Sequence, residues 1–148
     1  MNNPLRNISE MHLEVARSCN LSCTYCYAHR NSDGTHDLMP LHVACNYLDL
    51  VMSETCSDEV NVVFHGGEPL MQTATWFENV IEYANRLAGR LHKTARYQMQ
   101  SNLSLLTPRH RDLIRRHKIV VGSSLDGPSA LNDIARGETK SVLAQVRR

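Results

Sequence analysis

The chain has 148 residues, a formal net charge of +1 with histidine neutral, and Lys and Arg that are scattered rather than gathered in a stripe. That length suits one ordinary domain, residues 1–148, and the charge pattern argues against a nucleic-acid surface and against a disordered acidic tail. Five cysteines, three of them clustered, speak against a secreted disulfide framework, and the sequence shows neither a signal-peptide h-region nor an apolar run of membrane-spanning length. A reducing, cytoplasmic setting with no membrane and no nucleic acid is expected.

Met11 to Ala16 alternates loosely, Leu13 and Val15 against His12 and Glu14, and predicts a short strand. A cysteine-rich loop follows, then a polar loop from His29 to Leu38. Pro40 sits where a first helical residue belongs, and Leu41, Ala44, Tyr47, Leu48 and Val51 predict a helix to about Glu54. Val60 to Phe64 reads as a buried strand that ends at His65-Gly66-Gly67-Glu68-Pro69. Trp76, Phe77, Val80, Ile81, Ala84, Leu87 and Ala88 form a second helical stripe, with its stop expected near Gly89. Arg96 to Gln100 is a third strand. Thr107 and Pro108 open a third helix to about His117. Ile119 to Ser124 is a fourth strand, Asp126-Gly127-Pro128 a turn, and a last helix begins near Ser129, breaks at Gly137 and resumes through Val142 to Val146.

Strands alternating with helices imply a parallel sheet with right-handed crossovers, an α/β fold. In such a sheet the segments after the strands lie on one rim, where ligands bind. The cysteine loop, Gly66-Gly67-Glu68, Ser101-Asn102 and Ser124 to Asp126 should therefore face one site.

Cys19, Cys23 and Cys26 stand in CxxxCxxC spacing. Thiolates ligate zinc and iron–sulfur clusters. Three ligands rather than four would leave an open position, the mark of a catalytic centre. The residues alone leave two other readings. His29, three residues after Cys26, could complete a closed zinc site with the three cysteines, and Cys23-Thr24-Tyr25-Cys26 is a CxxC that could work as a redox pair. Two glycines at 66 and 67 would let backbone approach a ligand, and the carbonyls there together with Glu68 would suit a cationic amino group, although a plain strand-to-helix turn explains them too. Gln100, Ser101 and Asn102 offer donors that loop capping also explains. Ser124 could donate to a carboxylate, Asp126 reads as a turn-former, His65 as a rim residue, Cys45 as an inert core thiol and Cys56 as an unpartnered loop thiol.

Taken together the residues carry a family pattern. The sequence resembles the radical S-adenosylmethionine enzymes, and most of all the branch that modifies peptides and proteins, which includes sulfatase-maturating enzymes and maturases of ribosomally made peptides. The match rests on Cys19-Asn20-Leu21-Ser22-Cys23-Thr24-Tyr25-Cys26-Tyr27, on Phe64-His65-Gly66-Gly67-Glu68-Pro69-Leu70, on Gln100-Ser101-Asn102 and on Ser124-Leu125-Asp126-Gly127-Pro128. The resemblance implies that Cys19, Cys23 and Cys26 bind three irons of a 4Fe-4S cluster, whose fourth iron is chelated by S-adenosylmethionine. It implies that Gly66, Gly67 and Glu68 hold the amino group of that cofactor, that Asn102 and Ser124 lie near its ribose and carboxylate, and that Tyr25 lies near its adenine. No catalytic residue beyond the cluster is assigned. The implied chemistry is reductive cleavage to a 5′-deoxyadenosyl radical that abstracts hydrogen from a peptide or protein, with an electron donor such as flavodoxin or ferredoxin.

The family core is a partial TIM-like barrel of six strand–helix units, of which about four are expected here. The chain thus reads as the N-terminal portion of a radical S-adenosylmethionine core, truncated at the C-terminus. Such a half-barrel leaves one sheet face open and its fourth strand as an edge. The rival readings are a non-catalytic remnant or binding module with the same fold, and a structural zinc protein.

Overall fold

The computed structural model describes residues 3–27 and 37–136. Four strands, β1 (Glu10–Ala16), β2 (Glu59–Gly66), β3 (Thr94–Ser101) and β4 (Val120–Ser123), alternate with four helices, α1 (Leu41–Glu54), α2 (Ala74–Arg90), α3 (Pro108–Arg116) and α4 (Ser129–Ala135). The strands form one parallel sheet in the order β1-β2-β3-β4. A single 3₁₀ turn, Pro69–Met71, interrupts the path from β2 to α2.

Register explains the core. Leu13 pairs with Phe64, Phe64 with Met99, and Met99 with Val121, so these side chains share one face. Met11, Leu13, Val15, Val60, Val62, Phe64, Tyr97 and Met99 are buried on it, under Ala44, Leu48, Val51 and Met52 of α1, the long apolar stripe of α2, and Leu113 of α3. Phe64 sits at the centre, stacked on Tyr97 and edge-on to Phe77, with ring centroids 6.2 Å and 5.1 Å away. The opposite face carries Asn61, Arg96 and Gln98, with Val63 among them.

Several local expectations shift by a residue or change role. Pro40 is the N-cap of α1, with extended backbone, rather than its first helical residue. The buried stripe of α1 is Ala44, Leu48, Val51 and Met52; Tyr47 is exposed and Cys45 only half-buried, so Cys45 is no core thiol. Gly89 lies inside α2, which ends one residue later. The left-handed residue that stops α2 is His92, at φ 56°. The amide of Lys93 donates to the carbonyl of Ala88 at 2.8 Å, the closing bond of a Schellman motif. Lys118, at φ 51°, ends α3 in the same way, with Ile119 N–H donating to the Ile114 carbonyl at 3.0 Å. Thr107 caps α3 as expected: its hydroxyl accepts from the His110 amide, and His110 Nδ1 accepts from the Thr107 amide in return.

β4 is the short outer strand, and Val120 on it is exposed. α4 buries only Asn132 and leaves Leu131 and Ile134 in solvent. The proposed break at Gly137 and the segment from Val142 to Val146 lie outside the described residues. No described helix is long and apolar enough to cross a membrane.

Candidate functional site

The carboxyl ends of all four strands open on one cleft of about 260 Å³. Cys19, Cys23, Tyr25 and Cys26 reach it from the loop after β1, and Gly66, Gly67 and Glu68 from the end of β2. Asn102 comes from the end of β3 and Ser124 from the end of β4. All nine residues that the resemblance assigns to the cluster and its cofactor therefore line this one cleft, whereas Asp126 is not among its lining residues. His65, Gln100, Ser101 and Arg136 line it as well.

The close approach at Gly66 is to the protein's own backbone. A Cβ on this residue, which has φ +142°, would come within 2.2 Å of the Ala16 carbonyl oxygen. Gly67 N–H donates to that same oxygen at 2.7 Å, and Glu68 N–H to the Ser18 carbonyl at 3.0 Å. The two glycines thereby fasten the end of β2 to the root of the cysteine loop.

Glu68 is the most deeply buried charged group of the site, 1% exposed. Its Oε1 accepts from Leu70 N–H at 2.9 Å and from the Ser101 hydroxyl at 2.6 Å, and its Oε2 from Asn102 N–H at 2.8 Å. Burial pushes its carboxyl above the usual range, against the pull of these three donors. The carboxylate thus ties the end of β2 to the end of β3, a role the sequence did not disclose.

Asn102 then links β3 to the cysteine loop. Its Oδ1 accepts from Ser104 N–H at 2.9 Å, while its Nδ2 donates to Asn20 Oδ1 at 3.1 Å and faces Cys19 Sγ at 3.9 Å. Asn20 in turn donates to the Ser104 hydroxyl at 2.7 Å. At β4, Gln100 lies over Gly122 and donates to the Ser124 hydroxyl at 2.8 Å.

A second connection closes the cysteine loop from the far end of the chain. The Tyr25 hydroxyl donates to Asp126 Oδ2, and Arg136 Nε donates to the same oxygen at 2.7 Å. The Arg136 guanidinium also lies 5.0 Å from the centre of the Tyr25 ring, and Thr24 N–H donates to the Ala135 carbonyl at 3.0 Å. Desolvation and the bond to Asp126 push the Tyr25 phenol up to about 12, while Arg136 and then Tyr25 hold the Asp126 carboxyl below its ordinary value. The sequence by itself marks Asp126 only as a turn-former. Nothing in the sequence marks Arg136, because it lies ten positions and a helix away from its partner and no local pattern points to it.

The thiols suit an iron–sulfur cluster. Cys19, Cys23 and Cys26 are free of disulfides and face one cleft. Cys19 Sγ accepts from Leu21 N–H at 3.4 Å, the kind of bond that backbone amides make to cluster thiolates. Burial raises the Cys19 thiol above its ordinary pKa, so metal loading there would displace a proton. Among the described residues no three His, Cys, Asp or Glu side chains are arranged to hold a single metal ion. A cluster asks less convergence of three thiols than one zinc ion does, since each binds its own iron. His29, the fourth ligand of the zinc reading, lies outside the described residues.

The chain is similar to several known proteins. An uncharacterized protein of Methanocaldococcus jannaschii is 32% identical over 124 residues, covering 84% of this chain and 40% of that protein. The serine-type anaerobic sulfatase-maturating enzyme of Bacteroides thetaiotaomicron is 29% identical over 124 residues, 80% of this chain and 29% of that enzyme. The solved structure of native anSMEcpe with bound AdoMet shares the fold, with a TM-score of 0.79 and 24% identity over 95% of this chain and 39% of that one. The chain thus spans 40% or less of the length of these relatives. The family described as the 4Fe-4S single cluster domain matches residues 12–141. The chain belongs to this 4Fe-4S single cluster domain family, within the radical S-adenosylmethionine superfamily.

Proposed function

We propose that this chain is the cofactor-binding portion of a radical S-adenosylmethionine enzyme acting on a peptide or protein. The observation that carries the reading is the meeting of three free thiols with the motifs of three other strand ends in one cleft. Cys19, Cys23 and Cys26 would hold three irons of a 4Fe-4S cluster. The backbone carbonyls around Gly66 and Gly67 would take the amino group of S-adenosylmethionine, and Glu68 would fix the segment that presents them. Asn102 and Ser124 would flank the ribose and carboxylate, and Tyr25 the adenine. When bound and reduced by a donor such as flavodoxin or ferredoxin, these cofactors supply one-electron cleavage of the sulfonium to methionine and a hydrogen-abstracting 5′-deoxyadenosyl radical. The sulfatase-maturating relative supports a peptide or protein as substrate, and free clustered thiols of this kind suit a reducing cytoplasm.

The test is anaerobic iron–sulfur reconstitution followed by electron paramagnetic resonance of the reduced protein with and without S-adenosylmethionine. A 4Fe-4S signal that changes on addition of the cofactor is expected. A soluble protein that takes up no cluster, or a cluster indifferent to the cofactor, would overturn the reading. A second reading, a non-catalytic binding module, draws support from the exposed β4 and α4 surfaces, where Val120, Leu131 and Ile134 face solvent. It predicts a cofactor-sensitive cluster that releases no 5′-deoxyadenosine under reduction.

A further inference from the structure

We infer that the side-chain amide of Asn102 is a hydrogen-bond donor to the Cys19 sulfur whose role is to set the reduction potential of the cluster held there. The inference rests on the proposed cluster at Cys19, Cys23 and Cys26. The orientation of the amide is fixed by chemistry. Backbone N–H can only donate, and Ser104 N–H meets one end of the Asn102 side chain at 2.9 Å, so that end is the oxygen and the other is the NH2. The NH2 has two hydrogens and two acceptors before it, Asn20 Oδ1 at 3.1 Å and Cys19 Sγ at 3.9 Å.

The residue is held at its root as well. Its backbone N–H is bound at 2.8 Å to the buried Glu68 carboxylate, which the Ser101 hydroxyl and Leu70 N–H also hold. A cysteine ligand and a donor 83 positions later in the chain are thus brought together through a braced turn. Hydrogen bonds to ligand sulfurs draw electron density from the thiolate and stabilise the cluster in its reduced, more negative state. Leu21 N–H, at 3.4 Å, is a backbone donor that every substitution except proline keeps. Asn102 is the adjustable one, a positioning and tuning residue rather than a catalytic one.

The experiment is a potentiometric titration with dithionite of the reconstituted full chain, followed by electron paramagnetic resonance, without S-adenosylmethionine. Leaving the cofactor out separates this role from any contact Asn102 makes with it. Asn102→Ser keeps an oxygen for the Ser104 amide but is too short to reach Cys19, and Asn102→Ala removes both. Both variants are expected to keep wild-type iron content and to show a lower midpoint potential. Unchanged potential in cluster-loaded variants would overturn the inference. So would a folded variant that binds no iron, because the amide would then be building the site rather than tuning it. If the wild type itself takes up no cluster, the proposed function fails first.

Discussion

The α-carbon of Gly66 faces the carbonyl oxygen of Ala16 so closely that an added methyl would stand 2.2 Å from it. Both atoms belong to backbone, at the point where β1 delivers the cysteine loop and β2 delivers the Gly66-Gly67-Glu68 segment. Gly66→Ala must therefore part the two strands or abandon a φ of +142°. It is expected to cost about 2–4 kcal/mol in urea unfolding. Gly127→Ala, at φ +111° but with nothing within 4 Å, carries only the backbone strain, about 1–2 kcal/mol. Equal costs at the two positions would show that the contact with Ala16 is not what demands glycine.

Arg136 and Asp126 keep the cysteine loop closed. In Arg136→Ala the carboxylate loses its ion pair and Tyr25 its cation, and the bond from Thr24 N–H to the Ala135 carbonyl is left unsupported. Amide hydrogen exchange at Thr24 should then rise by about tenfold or more while the amides of β2 keep their protection. Uniform acceleration across the sheet would mean that Arg136 supports global stability instead.

On the proposed function the three cysteines of the cleft are the protein ligands of the cluster. Cys23→Ala should abolish cluster uptake, because a site with three protein ligands has none to spare. Cys45→Ala, on the half-buried flank of α1, should leave iron content at the wild-type level. Equal iron in wild type and Cys23→Ala would sink the ligand assignment.

His110 gives the fold an acid sensitivity. Its Nδ1 accepts from the Thr107 amide while Nε2 lies 3.1 Å from the Gln72 carbonyl, an arrangement that suits the neutral ring protonated at Nε2. Burial lowers its pKa below the model-peptide value of 6.5, and the bond to Gln72 only partly offsets this. Below pH 6.5 the unfolded state therefore binds more protons than the folded one, and stability falls as pH drops, by at most about 1.4 kcal/mol per pH unit. His110→Gln should flatten that part of the curve in urea unfolding between pH 5 and 7. An unchanged slope would place the acid sensitivity elsewhere.

The order of strands and helices was legible because it rests on local signals: alternation in β1, the β-branched run of β2, the wide apolar stripe of α2, and Thr107-Pro108 at the start of α3. The gathering of the nine site residues followed from that order alone, since parallel strands present the ends of all four on one rim. The facing of α1 was legible only in part. Tyr47 and Cys45 have helical spacing with the core residues yet lie to either side of the strip that meets the sheet. What could not be read were partnerships made across distance. Glu68 as a buried tie between two strand ends depends on a hydroxyl 33 residues away, and the Tyr25–Asp126 bond spans 101. Charge and hydrogen bonding carry no periodicity, so nothing in the sequence marks who meets whom.

The bond from Thr24 to Ala135 has a consequence for the order of events during synthesis. The thiols leave the ribosome early, but the helix that closes over their loop is made roughly 110 residues later. At translation rates of about 5–20 residues per second, the loop stands open for roughly 5–20 s. During that interval the nascent chain presents three cysteines, not yet covered by that helix, to oxidants and to stray metal ions alike.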